Sequence, residues 1–231
     1  TLIAAPAFAN TSGTGVVINE AYLSGGSSGA AFKNKFVELY NPTDQDVVLD
    51  GMSLQYRSAT GTGNSSGVVA LTGTIPAGGH FLVQGGSNGS NGAELPSSDA
   101  SSGNLNFSGS AGTIALVNGT AAVALPTGSL VGDAAVNANL IDLLGYGTSN
   151  TYEDTAATAP AGNTDVKSLN RTDGADSDVN ADDFALSATI SPTNADGETS
   201  ATDPDPDPDP DPAVEKTIAE VQGTADVSPL K

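Results

Sequence analysis

The stretch Asp173-Gly-Ala-Asp176-Ser-Asp178-Val-Asn180-Ala-Asp182-Asp183 gathers five carboxylates and a carboxamide within eleven residues. Asp176, Asp178, Asn180 and Asp182 stand at alternate positions, the spacing by which a calcium loop presents hard oxygen ligands. A bound divalent ion there would relieve the mutual repulsion of the carboxylates. Two positions depart from such a loop: Ala181 stands where the glycine of the sharp turn belongs, and Ser187 where a bidentate Glu belongs. Calcium binding is therefore expected to be weak, at about 10⁻⁴ to 10⁻³ M. The other reading needs no metal, because Asp and Asn side chains can bond to nearby backbone and shape the turn themselves.

Glu20, Glu38 and Asp142 lie inside apolar stretches. Paired carboxylates can do acid/base or metal work. They can equally be structural, neutralised by Arg57 in LQYR and Arg171 in SLNRT, the available cations. Arg171 in particular is expected to pair with a carboxylate or a backbone carbonyl at the edge of the core, its loss lowering stability by about 1 to 3 kcal/mol. His80 is the only histidine. A histidine-based hydrolase also needs a serine set on a strand-to-helix elbow and an orienting acid, so His80 reads as a strand-face residue. Gly61-x-Gly63 has no following Lys and helix, and reads as loop chemistry rather than a nucleotide site. No residue of this chain is assigned a catalytic or cofactor-binding role.

These groups must be held by strands. Residues 16–57 carry three apolar runs, each too short for a helix and each closed by turn residues. In the middle run Phe36, Glu38 and Tyr40 share one face, Val37 and Leu39 the other. Asn41-Pro42-Thr43-Asp44 then turns the chain, because Pro42 lacks a donor and disfavours helix at Asn41. Further strands are expected at 68–71, 80–84, 113–118, 121–125, 140–146 and 166–171, with 113–118 and 121–125 forming a hairpin across Gly119. The polar insert between Gln84 and Gly112 is expected to bury almost nothing through residues 85–104 and to be mobile, as is 197–212. No core helix is expected.

NEAYL, KFVELYNPT, VVLDGMSLQ, IPAGGHFLV, GTIALVNG, NLIDLLGYG and SLNRTDGADSDVNADDF, in that order over about 170 residues, resemble the lamin-tail domain. The resemblance implies an all-β, immunoglobulin-like β-sandwich, of a type found in nuclear lamins and in many secreted bacterial proteins. In that pattern an Asp/Asn-rich turn also precedes an Asp-Phe pair. The insert after Gln84 is where the chain departs from the family's pattern.

Composition agrees with an all-β chain: 28 glycines, 5% aromatics and no Trp in 231 residues, of which 38% are apolar. The 27 acidic against 7 basic residues give a net charge of −20, which repels phosphate backbones and anionic membranes, so direct nucleic-acid binding is not expected. The absence of cysteine excludes disulfides and thiolate chemistry. Thr1 to Ala9 reads as the end of a secretory signal peptide with Ala7-Phe8-Ala9 as its cleavage site, or else as an apolar strand on the sheet.

The domain plan is 1–13 signal-peptide end and tail, 14–195 sandwich, 196–212 acidic Asp-Pro-rich linker, and 213–231 the start of a following domain. Five Asp-Pro units from Asp203 to Pro212 make a semi-rigid spacer of about 31 Å. IAEVQGTADVSPLK at the end resembles the segment ahead of the catalytic domain in secreted nucleases of the endonuclease/exonuclease/phosphatase type. The expected role is a non-catalytic binding or positioning module of a secreted multidomain protein, with a protein or polymer ligand and a metal-dependent nuclease as the downstream domain. The alternatives are a passive structural or cell-surface interaction domain, or a calcium-dependent adhesion module.

Overall fold

The computed structural model describes residues 15–200 apart from 133, 136 and 137. The expected signal-peptide remnant (1–9), the whole Asp-Pro run (203–212) and the expected start of a following domain (213–231) lie outside the described residues. In chain order the first strands are Val17–Tyr22 (β1), Phe36–Tyr40 (β2), Val47–Val48 (β3), Met52–Ser58 (β4), Gly67–Ala70 (β5), Thr74–Ile75 (β6) and His80–Gln84 (β7). Ala100–Ser101 (β8), Gly112–Asn118 (β9), Gly128–Ser129 (β10), Leu140–Tyr146 (β11), Thr151–Tyr152 (β12), Ser168–Arg171 (β13), the single-turn helix Asn180–Asp183 (α1) and Phe184–Ser187 (β14) follow.

Two sheets face each other, one ordered β14-β13-β1-β2-β7-β8 and the other β11-β9-β4-β5. Between them lies the main core, where Ile18, Val37, Leu39, Phe81 and Leu169 of the first sheet meet Leu54, Tyr56, Ile114, Leu116, Leu144 and Tyr146 of the second. This is the immunoglobulin-like sandwich that the lamin-tail resemblance implied. A smaller ladder, β3 with β6, closes one end, where Val48 is the one large apolar side chain exposed among the described residues.

Both sheets are also covered on their outer faces. Tyr22, Phe36 and Leu82 on the back of the first sheet pack with Phe32 and Ile190, and Ala115, Val117 and Leu143 on the back of the second pack with Leu125 and Leu130. Strands β4, β9 and β11 are therefore buried on both faces. Polar side chains on those hidden faces have to find partners in the covering segments.

The back of β4 shows how. Residues 121–125 do not form the expected hairpin partner, because β9 already pairs with β4 on one edge and β11 on the other. The chain instead crosses the outer face, and the outward residues of β4 catch it at every second position. Ser53 Oγ donates to Gly119 O at 2.5 Å, Gln55 Nε2 to Ala121 O at 2.8 Å, and Arg57 to Leu125 O, while Gln55 Oε1 accepts the Val123 amide at 3.0 Å. Two extended stretches share a two-residue repeat, so side chains on one can address the backbone of the other in register.

Residues 85–104 stay mostly exposed, as expected of a Gly/Ser/Asn-rich insert, yet backbone bonds stitch them down. Gly86 donates to Leu105 O at 3.0 Å, Asn88 to Gly25 O at 2.9 Å and Ala93 to Ala31 O at 2.8 Å. Phe184–Ser187, which was not among the strands expected from sequence, pairs with β13 and forms the sixth strand of the first sheet.

Gln55→Ala is expected to lower stability by about 1 to 3 kcal/mol in urea unfolding, because a backbone amide and a carbonyl lose their only protein partner. Amide exchange at Val123 should accelerate while Leu116 stays protected. Unchanged exchange at Val123 would show that Leu125 and Leu130 hold the segment unaided.

Candidate functional site

Arg171, on β13, enters the sandwich edge with its side chain fully shielded from solvent. Its Nη2 donates to both oxygens of Asp142, at 2.8 and 2.7 Å, and its Nε to the carbonyl of Ile18 at 2.8 Å. Nη1 reaches Ala175 O at 3.1 Å, Asp183 Oδ2 at 3.2 Å and Asp176 Oδ1 at 3.3 Å. The guanidinium lies 4.5 Å from the centroid of the Phe184 ring. Every donor direction of the fork is used.

Bulges aim these groups. The β11–β9 register slips between Leu140 and Asp142, and the β1–β2 register slips between Ile18 and Glu20. In β11 the extra residue sets Asp142 on the inward face with Leu144, and in β1 the slip leaves the Ile18 amide and carbonyl free of the ladder, the one for Asp142 and the other for Arg171. Arg171 is thus paired with carboxylates and a carbonyl, as its sequence context implied.

The Asp-rich stretch wraps this pair. Asp173 and Asp178 adopt positive φ, 56° and 59°, a conformation that Asp tolerates better than most residues. Asp176 Oδ1 accepts the Asp178 amide at 3.2 Å, and Asp183 accepts the Ser177 amide at 3.1 Å. Asn180 is fully buried, and its Oδ1 takes the amides of Gly145 (2.8 Å) and Glu153 (3.0 Å) while Nδ2 donates to Leu143 O and Glu153 Oε2, both at 2.7 Å. It therefore ties β11 to β12.

The four residues proposed for calcium are not presented as a set. Asp176 points at Arg171, Asn180 has spent its oxygen on two amides, Asp178 is half-buried and Asp182 is exposed on α1. The oxygens that do converge belong to Asp142, Glu153 and Asp176, which can place one atom each within 4.8 Å of one another. Asp142 was singled out in the sequence, but Glu153 was not. Nothing in Thr-Tyr-Glu-Asp-Thr separates the buried Glu153 from its exposed neighbour Asp154.

Four carboxylates thus share one cation. Burial, reinforced by Asp142, pushes Asp176 up to about 7. Burial, with Asp142 and Asp176 adding to it, raises Glu153 well above the usual carboxylate range. Burial opposes the charge on Arg171, but Asp142, Asp176, Asp183 and Glu153 outweigh it and hold the guanidinium protonated more firmly still. Protons retained on the outer carboxylates make up the missing positive charge. The cluster is closed and internally satisfied, a clasp rather than a reaction centre.

The other candidates are also committed to structure. Glu38 Oε1 faces His80 Nδ1 at 2.8 Å, and His80 stacks on Tyr40 with ring centroids 5.0 Å apart. Three Gly-x-Ser-x-Gly spacings, 25–29, 63–67 and 85–89, occur in the sequence, but none is followed by a helix, and the Ser87 hydroxyl donates to Lys33 O. Arg57 does not pair with a carboxylate as expected; it is buried against Leu125 O, Asn150 Oδ1 and Thr151 Oγ1, its Nε is without a partner, and burial lowers its proton affinity.

The family model of the lamin tail domain matches residues 9–148, more than half of the chain. The chain belongs to the lamin tail domain family. That domain is non-catalytic and immunoglobulin-like, in keeping with the two sheets and the closed clasp. No curated protein matches the chain. The matched span ends before β13, so this lamin tail domain draws Arg171, Asp176, Asp183 and the last two strands of its larger sheet from residues beyond it.

Arg171→Met should destabilise the domain by about 3 to 5 kcal/mol, since it leaves Asp142 buried without its cation. Arg171→Lys should recover little, because a point charge cannot serve Asp142, Ile18 and Asp183 together. A melting temperature within a degree of wild type would remove the clasp from its structural role. For metal, millimolar calcium in place of EDTA should raise the melting temperature no more than magnesium at equal ionic strength. A larger, calcium-specific shift that Glu153→Gln and Asp176→Asn abolish would make the converging carboxylates a cation site.

Proposed function

We propose that this lamin tail domain is a non-catalytic binding and positioning module of a secreted multidomain protein, joined by its Asp-Pro run to an extracellular metal-dependent nuclease. The observation that carries the reading is the distribution of charge. Lys35, Arg57 and Arg171 are buried, and the two lysines that reach the surface, Lys33 and Lys167, sit against Glu94 and Asp165. Among the described residues the exterior therefore offers no free lysine or arginine to a phosphate backbone. A module so charged does not grip nucleic acid for its neighbour. It holds the assembly to something else, a protein or polymer surface, while the spacer keeps two anionic bodies apart.

None of the helices described is long and apolar enough to cross a membrane. The five Asp-Pro units after residue 202 have the composition of a spacer and support a second folded unit behind them. The resemblance of residues 218–231 to the entry segment of secreted nucleases supplies the identity proposed for that unit.

Deleting residues 14–195 from the full-length protein tests this directly. Turnover of a short soluble oligonucleotide should persist, while retention of the enzyme at its site of action is lost. Loss of turnover, or cleavage of DNA by the isolated domain with magnesium, would favour a hydrolytic role, and unchanged retention would reduce the domain to a passive spacer. The isolated domain should not retard duplex DNA at low salt.

A further inference from the structure

Behind β14 the chain folds back over the outer face of the larger sheet, and residues 188–200 form its cover. Ile190 is inserted among Tyr22, Phe36 and Leu82. Beyond it, every second amide is given to a carboxylate: Ser191 to Glu20 Oε2 at 3.4 Å, Thr193 to Glu38 Oε2 at 2.7 Å, and Ala195 to Asp99 Oδ2 at 3.0 Å. Asn194, facing the other way, donates from Nδ2 to Ser97 O at 2.9 Å. The segment then turns on itself, Gly197 donating to Asn194 O at 3.0 Å and Glu198 to Asn194 Oδ1 at 2.8 Å. Side chains, not a backbone ladder, fasten it to the sheet.

One of the three fastenings is poorly matched. Glu20 is 1% exposed, its bond to Ser191 is the longest of the three, and its Oε1 has no partner. Directly across the ladder stands Glu38, a like charge in the closest cross-strand position. On the other side β13 brings Asn170 opposite, with the neutral Ser168 beside it. His80 of β7 is taken up by Glu38, and the cover brings only amides at this point. At the far end Asp196 faces Asp99, whose carboxyl burial also raises. Among the described residues no cation pairs with Glu20.

We propose that residues 190–200 are a proton-locked strap, seated on the sheet while Glu20 is protonated and released when Glu20 ionises, so that the length of free chain ahead of the Asp-Pro run is set by pH. Ionised beneath the strap, Glu20 would be a buried charge beside another with one oxygen unpaired; released, it meets water. Burial, helped by Glu38 and opposed by the nearby Ser168, the Ser191 amide and Asn170, pushes its carboxyl from 4.5 up to about 7. The seated form binds the proton more tightly, so closure is fully favoured below the ordinary carboxylate value and weakens as pH rises through about 7. The gap between those values allows up to about a 300-fold change in the opening equilibrium. Release adds about 35 Å of contour to the connection, at about 3.3 Å per residue.

Amide exchange of the full chain at pH 5.5 and pH 8.5, corrected for intrinsic rates, tests the strap. Protection of Thr193 and Ala195 should fall by one to two orders of magnitude at the higher pH, to at most about 300-fold, while Leu116 and Leu144 of the other sheet keep theirs. Glu20→Gln, which keeps the shape without the charge, should hold the strap at both pH values. Equal strap protection in the wild type, or equal loss in Glu20→Gln, overturns the proposal. Should Glu20→Gln fail to protect Leu116 and Leu144 even at pH 5.5, carbon NMR titration of wild-type Glu20 decides instead. A midpoint near 7 coinciding with strap opening supports the lock, and one in the ordinary carboxylate range sinks it.

Discussion

The bidentate contact between Arg171 and Asp142 crosses from one sheet to the other, and the packing at that edge follows from it. A guanidinium this deep is tolerable only if every donor is used and the charge is met. That requirement explains why β1 and β11 each carry a bulge, why Asp183 closes a helical turn instead of pointing to water, and why Phe184 lies against the guanidinium face. It also explains an apparently wasteful concentration of acid: Asp176 and Asp183 are drawn inward by Arg171, and burial, reinforced by Asp142, then raises the carboxyl of Asp176 to about 7.

Sheets covered on both faces set a second constraint. Outward side chains of an ordinary sandwich face water, but here they face chain. The smaller sheet meets its cover mainly with donors, Ser53, Gln55 and Arg57, reaching carbonyls. The larger sheet meets its own with acceptors, Glu20, Glu38 and Asp99, receiving amides. An extended segment has both kinds of group to offer at a two-residue repeat, so either solution works. The donor solution uses amide, hydroxyl and guanidinium groups, whereas the acceptor solution uses carboxylates, of which Glu20 makes only the long bond to Ser191 and leaves Oε1 without a partner among the described residues.

The strands were legible because each is short, apolar and closed by turn residues, and β2, β7 and β11 fall within a residue of where the pattern places them. The lamin-tail family was legible from several motifs in one order rather than from any one of them. Hairpin logic failed at 121–125 because local sequence cannot tell that both edges of β9 are already taken. The clasp was half legible. Arg171 and Asp142 stand out as charges among apolar neighbours, but Asn180 looked like a ligand because spacing reports alternation and not which way a carboxamide turns. Glu153 carried no signal, since its partner Asn180 stands 27 residues further along the chain. Arg57 misled for the opposite reason: carbonyl and hydroxyl oxygens satisfy it, and these leave no mark in a search for opposite charges.

Burying three of the five described cations has an effect outside the core. Each arginine or lysine drawn inward to hold a carbonyl or a carboxylate is one fewer on a surface that already carries a large acidic excess. The anionic exterior is therefore partly a by-product of how the interior is fastened, and the same residues that stabilise the sandwich determine what it can approach. Polyanions are repelled at ordinary ionic strength, and two copies of the domain repel each other over about a Debye length, roughly 8 to 10 Å. The acidic Asp-Pro run extends the same sign along the chain. Contact with any partner must then rely on neutral or basic surface, on salt that screens the field, or on a stretch of the domain released from the sheet, such as the strap proposed to loosen over Glu20 as pH rises.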